Sequence, residues 1–209
     1  MNQNNQTILY YVHDPMCSWC WAFVPTWTKI KQALSDRLEV RYLLGGLAPD
    51  SAQIMPQEMQ NTISGYWKNI QVHVPGTEFN FDFWTECDPK RSTYLSCRAV
   101  IAARMQQPEA ELKMTFAIQK GYYLQAKNPS DADMLIRLSE ALGLDPVQFA
   151  KDLNSQKTHE VLQQEMQLGA SIGAQGFPSL ILQTPEGHGY IPLDYNDPSV
   201  VLNQLEHFI

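Results

Sequence analysis

Two cysteines three positions apart, set between an apolar run and an amphipathic helical pattern, constrain this chain more than anything else in it. The stretch His13 to Phe23 reads HDPMCSWCWAF, with Ser18 and Trp19 between Cys17 and Cys20. It follows Ile8, Leu9, Tyr10, Tyr11 and Val12, a run of the length and character of a buried strand. From about Cys17 to Leu34, apolar residues recur at three- and four-residue steps (Cys20, Phe23 or Val24, Trp27, Ile30 or Lys31, Leu34), which predicts a helix. Pro15 keeps that helix from starting earlier, because it has no amide hydrogen and restricts the residue before it. The order is strand, short loop, C-x-x-C, helix.

That order has a chemical consequence. Amide hydrogens at a helix start lack partners, and the helix dipole adds partial positive charge, so an anion is favoured there. For Cys17 the anion is a thiolate. An ordinary thiol with pKa near 8.5 is only about 3 % ionised at neutral pH. Thiols at helix N-termini or in C-x-x-C pairs fall to roughly 3.5–7.5. Cys20 lies one turn later on the same face, close enough to attack a mixed disulfide formed at Cys17. Cys17 is the expected nucleophile and Cys20 the resolving thiol. Two other readings stand beside this one. Half of a zinc site would need a second close ligand pair, but Cys87 and Cys97 are ten apart and His13, His73, His159, His188 and His207 are scattered, so no metal is expected. The other is a pair of buried, inert cysteines.

At 209 residues the chain exceeds a typical domain and falls short of two. Its 44 % hydrophobic content supplies a sizeable core, and its net charge of -7 argues against nucleic acid or an anionic membrane as partner. The opening Met1 to Thr7 is polar and uncharged, and the apolar run after it is too short for a secretion signal. No stretch approaches the length of a membrane span. The expected compartment is the cytoplasm, where cysteines are catalytic or free more often than structural.

Along the chain, Leu38 to Leu44 predicts a second strand, parallel to the first through a β-α-β crossover and ended by Gly45-Gly46. Leu47 to about Asp88 is hard to read; one helix is expected near Pro56–Asn69, then a loop. Its aromatics (Tyr66, Trp67, Phe79, Phe81, Phe83, Trp84) fit core packing or a substrate groove. Helical stripes follow from Ser92 to Pro108 and from Glu109 to Tyr123, the second carrying Leu112, Phe116 and Tyr123. Ser130 is the expected N-cap of a helix stopped by Gly143, and Asp145-Pro146 opens another. Lys157–Ile172 is a longer helix. Ser179–Leu182 and Gly189–Leu193 read as paired strands, the second at an edge because of Pro192, and Asp197-Pro198 caps a final helix. The sum is β-α-β, about five helices, then β-β-α. The fold class is α/β: a thioredoxin-like sheet, residues 1–46 and 174–209, interrupted by a helical subdomain at 47–173.

A second informative stretch is Gly173-Ala174-Gln175-Gly176-Phe177-Pro178, just before the strand at Ser179. Together with DPMCSWCW and the helical insertion, it resembles the DsbA-like disulfide oxidoreductases, and within them the cytosolic branch called FrnE-like or predicted protein-disulfide isomerases. Ser92-Thr93-Tyr94-Leu95-Ser96-Cys97-Arg98 adds to the resemblance weakly. The resemblance implies that Cys17 and Cys20 are the redox pair and that Phe177 and Pro178, joined by a cis bond, bind substrate by backbone pairing as in strand addition. Trp19, between the cysteines, is a further expected substrate contact. It implies no cofactor beyond the Cys17–Cys20 disulfide, with glutathione as a candidate co-substrate and cysteine-containing proteins or peptides as partners. Periplasmic members carry a proline and a histidine where this chain has Ser18-Trp19, so a weaker oxidant is expected. They also carry an acid where this chain has Tyr11; Asp14 is the candidate to tune Cys20 or shuttle its proton, or else it caps the turn. Cys87 and Cys97 read either as an extra redox thiol or as buried small apolar side chains. Two alternative functions remain: a glutathione-dependent isomerase or transferase of the kappa-class or 2-hydroxychromene-2-carboxylate isomerase type, whose relatives usually keep a serine where this chain has Cys17, and a non-catalytic peptide- or zinc-binding module.

Overall fold

A computed structural model describes residues 6–209. The polar opening read above lies largely outside them, at positions 1–5. The apolar run forms β1 (Ile8–His13), all six residues of which are buried. Burial on both faces explains why its sequence lacks polar alternation. It leads into α1 (Ser18–Leu34) and β2 (Glu39–Leu44), which pairs parallel with β1, Ile8 opposite Glu39 and Val12 opposite Leu43. Far along the chain, β3 (Ser179–Thr184) pairs antiparallel with the other side of β1, and β4 (Gly187–Ile191) pairs antiparallel with β3. The sheet order is β2-β1-β3-β4. β1 is therefore central, and the motif that follows it emerges from the middle of the sheet.

Alternation along β1 sends its side chains to two different cores. Leu9 and Tyr11 pack with Phe23, Trp27 and Ile30 of α1 and with Val201 and Leu205 of α9 (Ser199–Leu205). Ile8, Tyr10 and Val12 pack on the opposite face with Leu43, Ile181 and Ile172. Of the α1 residues named from periodicity, Cys20, Phe23, Trp27, Ile30 and Leu34 are buried, joined by Ala22 and Thr26, while the alternatives Val24 and Lys31 are only partly buried. Pro25 sits inside this helix and removes one of its backbone hydrogen bonds.

Between β2 and β3 stand α2 (Gln57–His73), α3 (Phe83–Glu86), α4 (Tyr94–Gln106), α5 (Ala110–Gln125), α6 (Ala132–Ala141), α7 (Pro146–Leu153) and α8 (Gln156–Ser171). That is seven helices among the described residues where about five were expected; α3, with four residues, is too short to show a period. Residues 96–103 of α4 are buried without a break, as in a helix surrounded on all sides. Around it Met114, Ile118, Leu135, Phe149 and Leu162 form one core, joined by Leu44 from β2.

Two local expectations are corrected. The stripe assigned to α5 is split: Leu112 and Phe116 are 45 % and 44 % exposed, whereas Tyr123 is buried together with Met114, Ile118 and Tyr122. α5 is apolar on two faces, and the one turned to α4 wins; Phe116 instead lies 6.1 Å from the Trp21 ring. The cap of α6 is Asp131, which accepts the Asp133 amide, while the Ser130 hydroxyl donates to the Ser92 carbonyl. By contrast, the Asp145 carboxylate caps α7 through the amides of Val147 and Gln148, as expected.

Charged side chains tie the insertion to the sheet. Glu165 of α8 accepts the Leu44 amide at 2.8 Å and pairs with Arg104 of α4, which also holds Glu111 at 2.6 Å. Gly169 of α8 packs against β1, where a Cβ would just touch Val12 Cγ1 at 3.4 Å.

Candidate active site

The loop from β1 to α1 is folded by Asp14. Its carbonyl accepts the Cys17 amide at 3.0 Å and its carboxylate accepts the Met16 amide at 2.8 Å. These bonds place Cys17 at the N-cap of α1, with extended φ and ψ of -82° and 115°. The Cys17 side chain makes no capping hydrogen bond; its thiol donates to the Phe177 carbonyl at 3.3 Å. The Phe177–Pro178 bond is cis. Residues 160 positions apart in sequence thus meet because β3, which starts at Ser179, runs beside β1.

Cys20 lies one turn on and is fully buried. Burial pushes its thiol well above the ordinary range, and its hydrogen bond to Cys17 and the charge there push further, against the Asp14 backbone amide. Cys20 therefore holds its proton more firmly than an ordinary thiol. All four cysteines are free thiols. Among the described residues, no group of three or more Cys, His, Asp or Glu is placed to hold a metal ion.

Asp14 is completely buried, and besides Met16 it accepts the Leu47 amide at 2.7 Å, the Thr93 hydroxyl at 2.6 Å and the Cys97 thiol at 3.4 Å. Burial raises its carboxyl and these four donors draw it back. The side chain joins three segments: the redox loop, the chain after β2 and the start of α4. Cys97 is fully buried against it, and burial together with the Asp14 charge pushes that thiol well up. Cys87 is half-buried and donates to the Ala126 carbonyl at 3.1 Å.

A groove of about 270 Å3 opens beside Cys17. Ser18, Trp19 and Phe177 form one side; Met55, Ile63, Tyr66, Trp67 and Tyr122 from the insertion form the other. Trp19 is half-buried, its ring 5.0 Å from that of Tyr195. The aromatics of the poorly legible stretch serve both expected uses. Trp67 and Phe83 are core residues packed with Tyr122 and Tyr123, while Tyr66 stays 53 % exposed in the groove. Pro178 is buried and lines, with Phe177, a second depression formed by Gly173, Gln175, Gly176, Ser179 and Tyr190.

Sequence reasoning missed four participants. Gly45 is pressed against the Phe177 ring, leaving no space for a side chain. Thr93 was quoted only as part of a weak motif, and its hydroxyl is the shortest of the contacts on Asp14. Lys90 and Arg91 line the groove from a segment with no periodicity to place them.

The fold has counterparts among known proteins. A family model described as thioredoxin matches residues 10–190. Among curated proteins, the chain is 25 % identical over 177 residues to the ClpXP adapter protein SpxH of Halalkalibacterium halodurans, covering 83 % of this chain and 57 % of that protein. It is also 25 % identical to SpxH of Bacillus subtilis, over 82 % of this chain and 56 % of the relative. The chain thus spans little more than half the length of these curated relatives. Among solved structures, a candidate protein disulfide isomerase from Nitrosomonas europaea superposes with TM-score 0.83 at 25 % identity, over 97 % of both chains. The cytosolic disulfide reductase DsbM from Pseudomonas aeruginosa, also solved with GSH, superposes with TM-score 0.76 at 21 % identity, over 96 % of this chain and 97 % of that one. The family match, spanning both cysteines, the insertion and the Phe177–Pro178 loop, shows that the chain belongs to the thioredoxin family, with a DsbA-like fold.

Proposed function

We propose that this protein is a thiol–disulfide oxidoreductase that exchanges disulfides through Cys17 and Cys20. The observation that carries the reading is the pairing of one sulfur that lines a groove with a second, fully buried sulfur one helical turn on. Cys17 attacks a substrate disulfide, forms a mixed disulfide and releases the first thiolate. Cys20 then gives up its proton to the leaving sulfur, attacks Cys17, and frees the second product. The enzyme dithiol becomes a disulfide as the substrate disulfide becomes two thiols. In the other direction the same steps oxidise a dithiol.

The Phe177 carbonyl, which accepts the Cys17 thiol here, is the acceptor that an amide of a bound substrate strand would take over, displacing the thiol. Cysteine-containing proteins or peptides are the proposed substrates. Glutathione is the proposed low-molecular-weight partner, a reading supported by the structural neighbour solved with GSH. The cytoplasm is the proposed compartment, supported by the likeness to a cytosolic reductase; no helix here is long and apolar enough to cross a membrane among the described residues.

Reduction of insulin by dithiothreitol, catalysed by wild type, Cys17→Ser and Cys20→Ser, tests this. Cys17→Ser is expected to abolish catalysis, and Cys20→Ser to accumulate a mixed disulfide that mass spectrometry places on Cys17. Catalysis that survives Cys17→Ser overturns the proposal.

A further inference from the structure

The groove beside Cys17 has an electrical character opposite to that of the protein. The chain carries a net charge of -7, yet the side chains lining this groove include Lys90 and Arg91 and no aspartate or glutamate. Neither cation forms an ion pair among the described residues, where the four ion pairs belong to Arg41, Arg98 and Arg104. Asp14 lies beneath the groove floor, but it is completely buried and occupied by four internal donors. Arg91 lines the groove together with Tyr122, and its charge partly offsets the upward push that burial gives to that phenol. Trp67, fully buried in the same wall, has an indole N–H with no partner. The charged side chains lining the groove beside the reactive sulfur are therefore both cations.

Unpaired cations on a partly apolar wall attract anions, and low-dielectric surroundings strengthen the attraction. The volume holds about one small half-disulfide rather than a folded segment. Building on the thiol–disulfide reading above, we infer that Lys90 and Arg91 make this groove selective for low-molecular-weight disulfides bearing carboxylates, which they hold while Cys17 attacks. The chemistry balances within the pair. The Cys17 thiolate forms a bond to one substrate sulfur, the substrate S–S bond breaks, and one carboxylate-bearing thiolate leaves. Cys20 then bonds to Cys17 and expels the second thiolate, the Cys20 proton passing to a departing sulfur. The substrate gains two electrons and the enzyme dithiol loses them.

The test uses three disulfides of similar skeleton and different charge: 3,3′-dithiodipropionate (anionic), 2-hydroxyethyl disulfide (neutral) and cystamine (cationic). Second-order rate constants for oxidation of the reduced full-length protein are each divided by that of dithiothreitol with the same disulfide, which removes differences in intrinsic reactivity. Wild type is expected to favour the anionic over the neutral compound by about tenfold, a ratio that shrinks as salt screens the charges. Lys90→Ala and Arg91→Ala are each expected to lower that ratio about fivefold, the scale of one partly exposed ion pair. Lys90→Glu with Arg91→Glu is expected to shift preference to cystamine. Equal normalised rates for all three compounds in wild type, or a ratio unmoved by these substitutions, overturns the inference. If the neutral disulfide oxidises wild type and Cys17→Ser alike, the underlying thiol–disulfide reading is what fails.

Discussion

Gly45 offers the sharpest probe of how the sheet supports the redox loop. A Cβ at this position would fall inside the envelope of the Phe177 ring, 2.7 Å from Cδ1 and nearer still to Cε1 and Cζ. Carbon atoms rest at about 3.5–4.0 Å, so the ring must retreat by roughly 1 Å or more. It can swing outward, giving up its half-buried contacts with the Ile8, Tyr10 and Val12 face, or drag the Phe177 carbonyl off the Cys17 thiol. Overpacking of this kind costs about 1–3 kcal/mol. The backbone itself does not need glycine, because Gly45 is not among the residues with positive φ. Removing the ring should therefore invert the sign. In a Phe177→Ala background, Gly45→Ala is expected to stabilise by about 0.5 kcal/mol, through the reduced freedom of the unfolded chain. Urea unfolding of the four proteins gives the coupling energy, expected near 2 kcal/mol. Disulfide exchange should slow in Gly45→Ala alone beyond what its stability explains. An equal cost of Gly45→Ala with and without the ring would refute the steric argument.

Other expectations rest on separate parts of the molecule. Burial, with a smaller push from Arg104, lowers the His13 pKa to about 4 from an ordinary value near 6.5. A depressed pKa means the folded state resists protonation, so this stability is intact above about pH 6.5 and lost as pH falls toward 4, amounting to a few kcal/mol. His13→Gln should flatten that slope in unfolding measured from pH 4 to 7, and an unchanged slope would place the effect elsewhere. Asp14→Ala strips an acceptor from two amides, a hydroxyl and a thiol, and should cost about 3–5 kcal/mol in urea unfolding; a loss under 1 kcal/mol would show that those donors find other partners. Equilibration with glutathione buffers should give a Cys17–Cys20 potential more negative than about -120 mV, the value of the strong periplasmic oxidant, because Ser18-Trp19 offers no cationic partner. A potential at or above that value would remove Ser18-Trp19 as the determinant.

The outer parts of the fold were readable because local pattern and final environment coincide there. β1 is apolar up to its last residue, His13, and buried throughout, and the stripe of α1 is the face that meets the sheet. The insertion resisted wherever a segment has two plausible faces or none. Leu112 and Phe116 repeat as well as Met114 and Ile118 do, and only the position of α4 decides between them. Ser130 and Asp131 are both competent caps, and the choice turns on whether Ser92 takes the serine hydroxyl. Lys90 and Arg91 had no pattern to mark them, since their place in the groove depends on how a loop returns to the redox motif. The role of Asp14 as a junction was legible only in part: its turn with Met16 is local, whereas Leu47, Thr93 and Cys97 reach it across 33, 79 and 83 positions.

The bond from Glu165 to the Leu44 amide also bears on how the molecule stays apart from its neighbours. β2 is an outer strand, and a strand at that place offers a row of unsatisfied groups on which a stray chain can nucleate. Glu165 occupies one such group, while the paired side chains of Glu39 and Arg41 put charge further along the strand. At the opposite rim, β4 is only five residues long, contains two glycines and stops before Pro192. One margin is sealed by a carboxylate and charge, the other by brevity, so a sheet with two open sides is poorly suited to template aggregation.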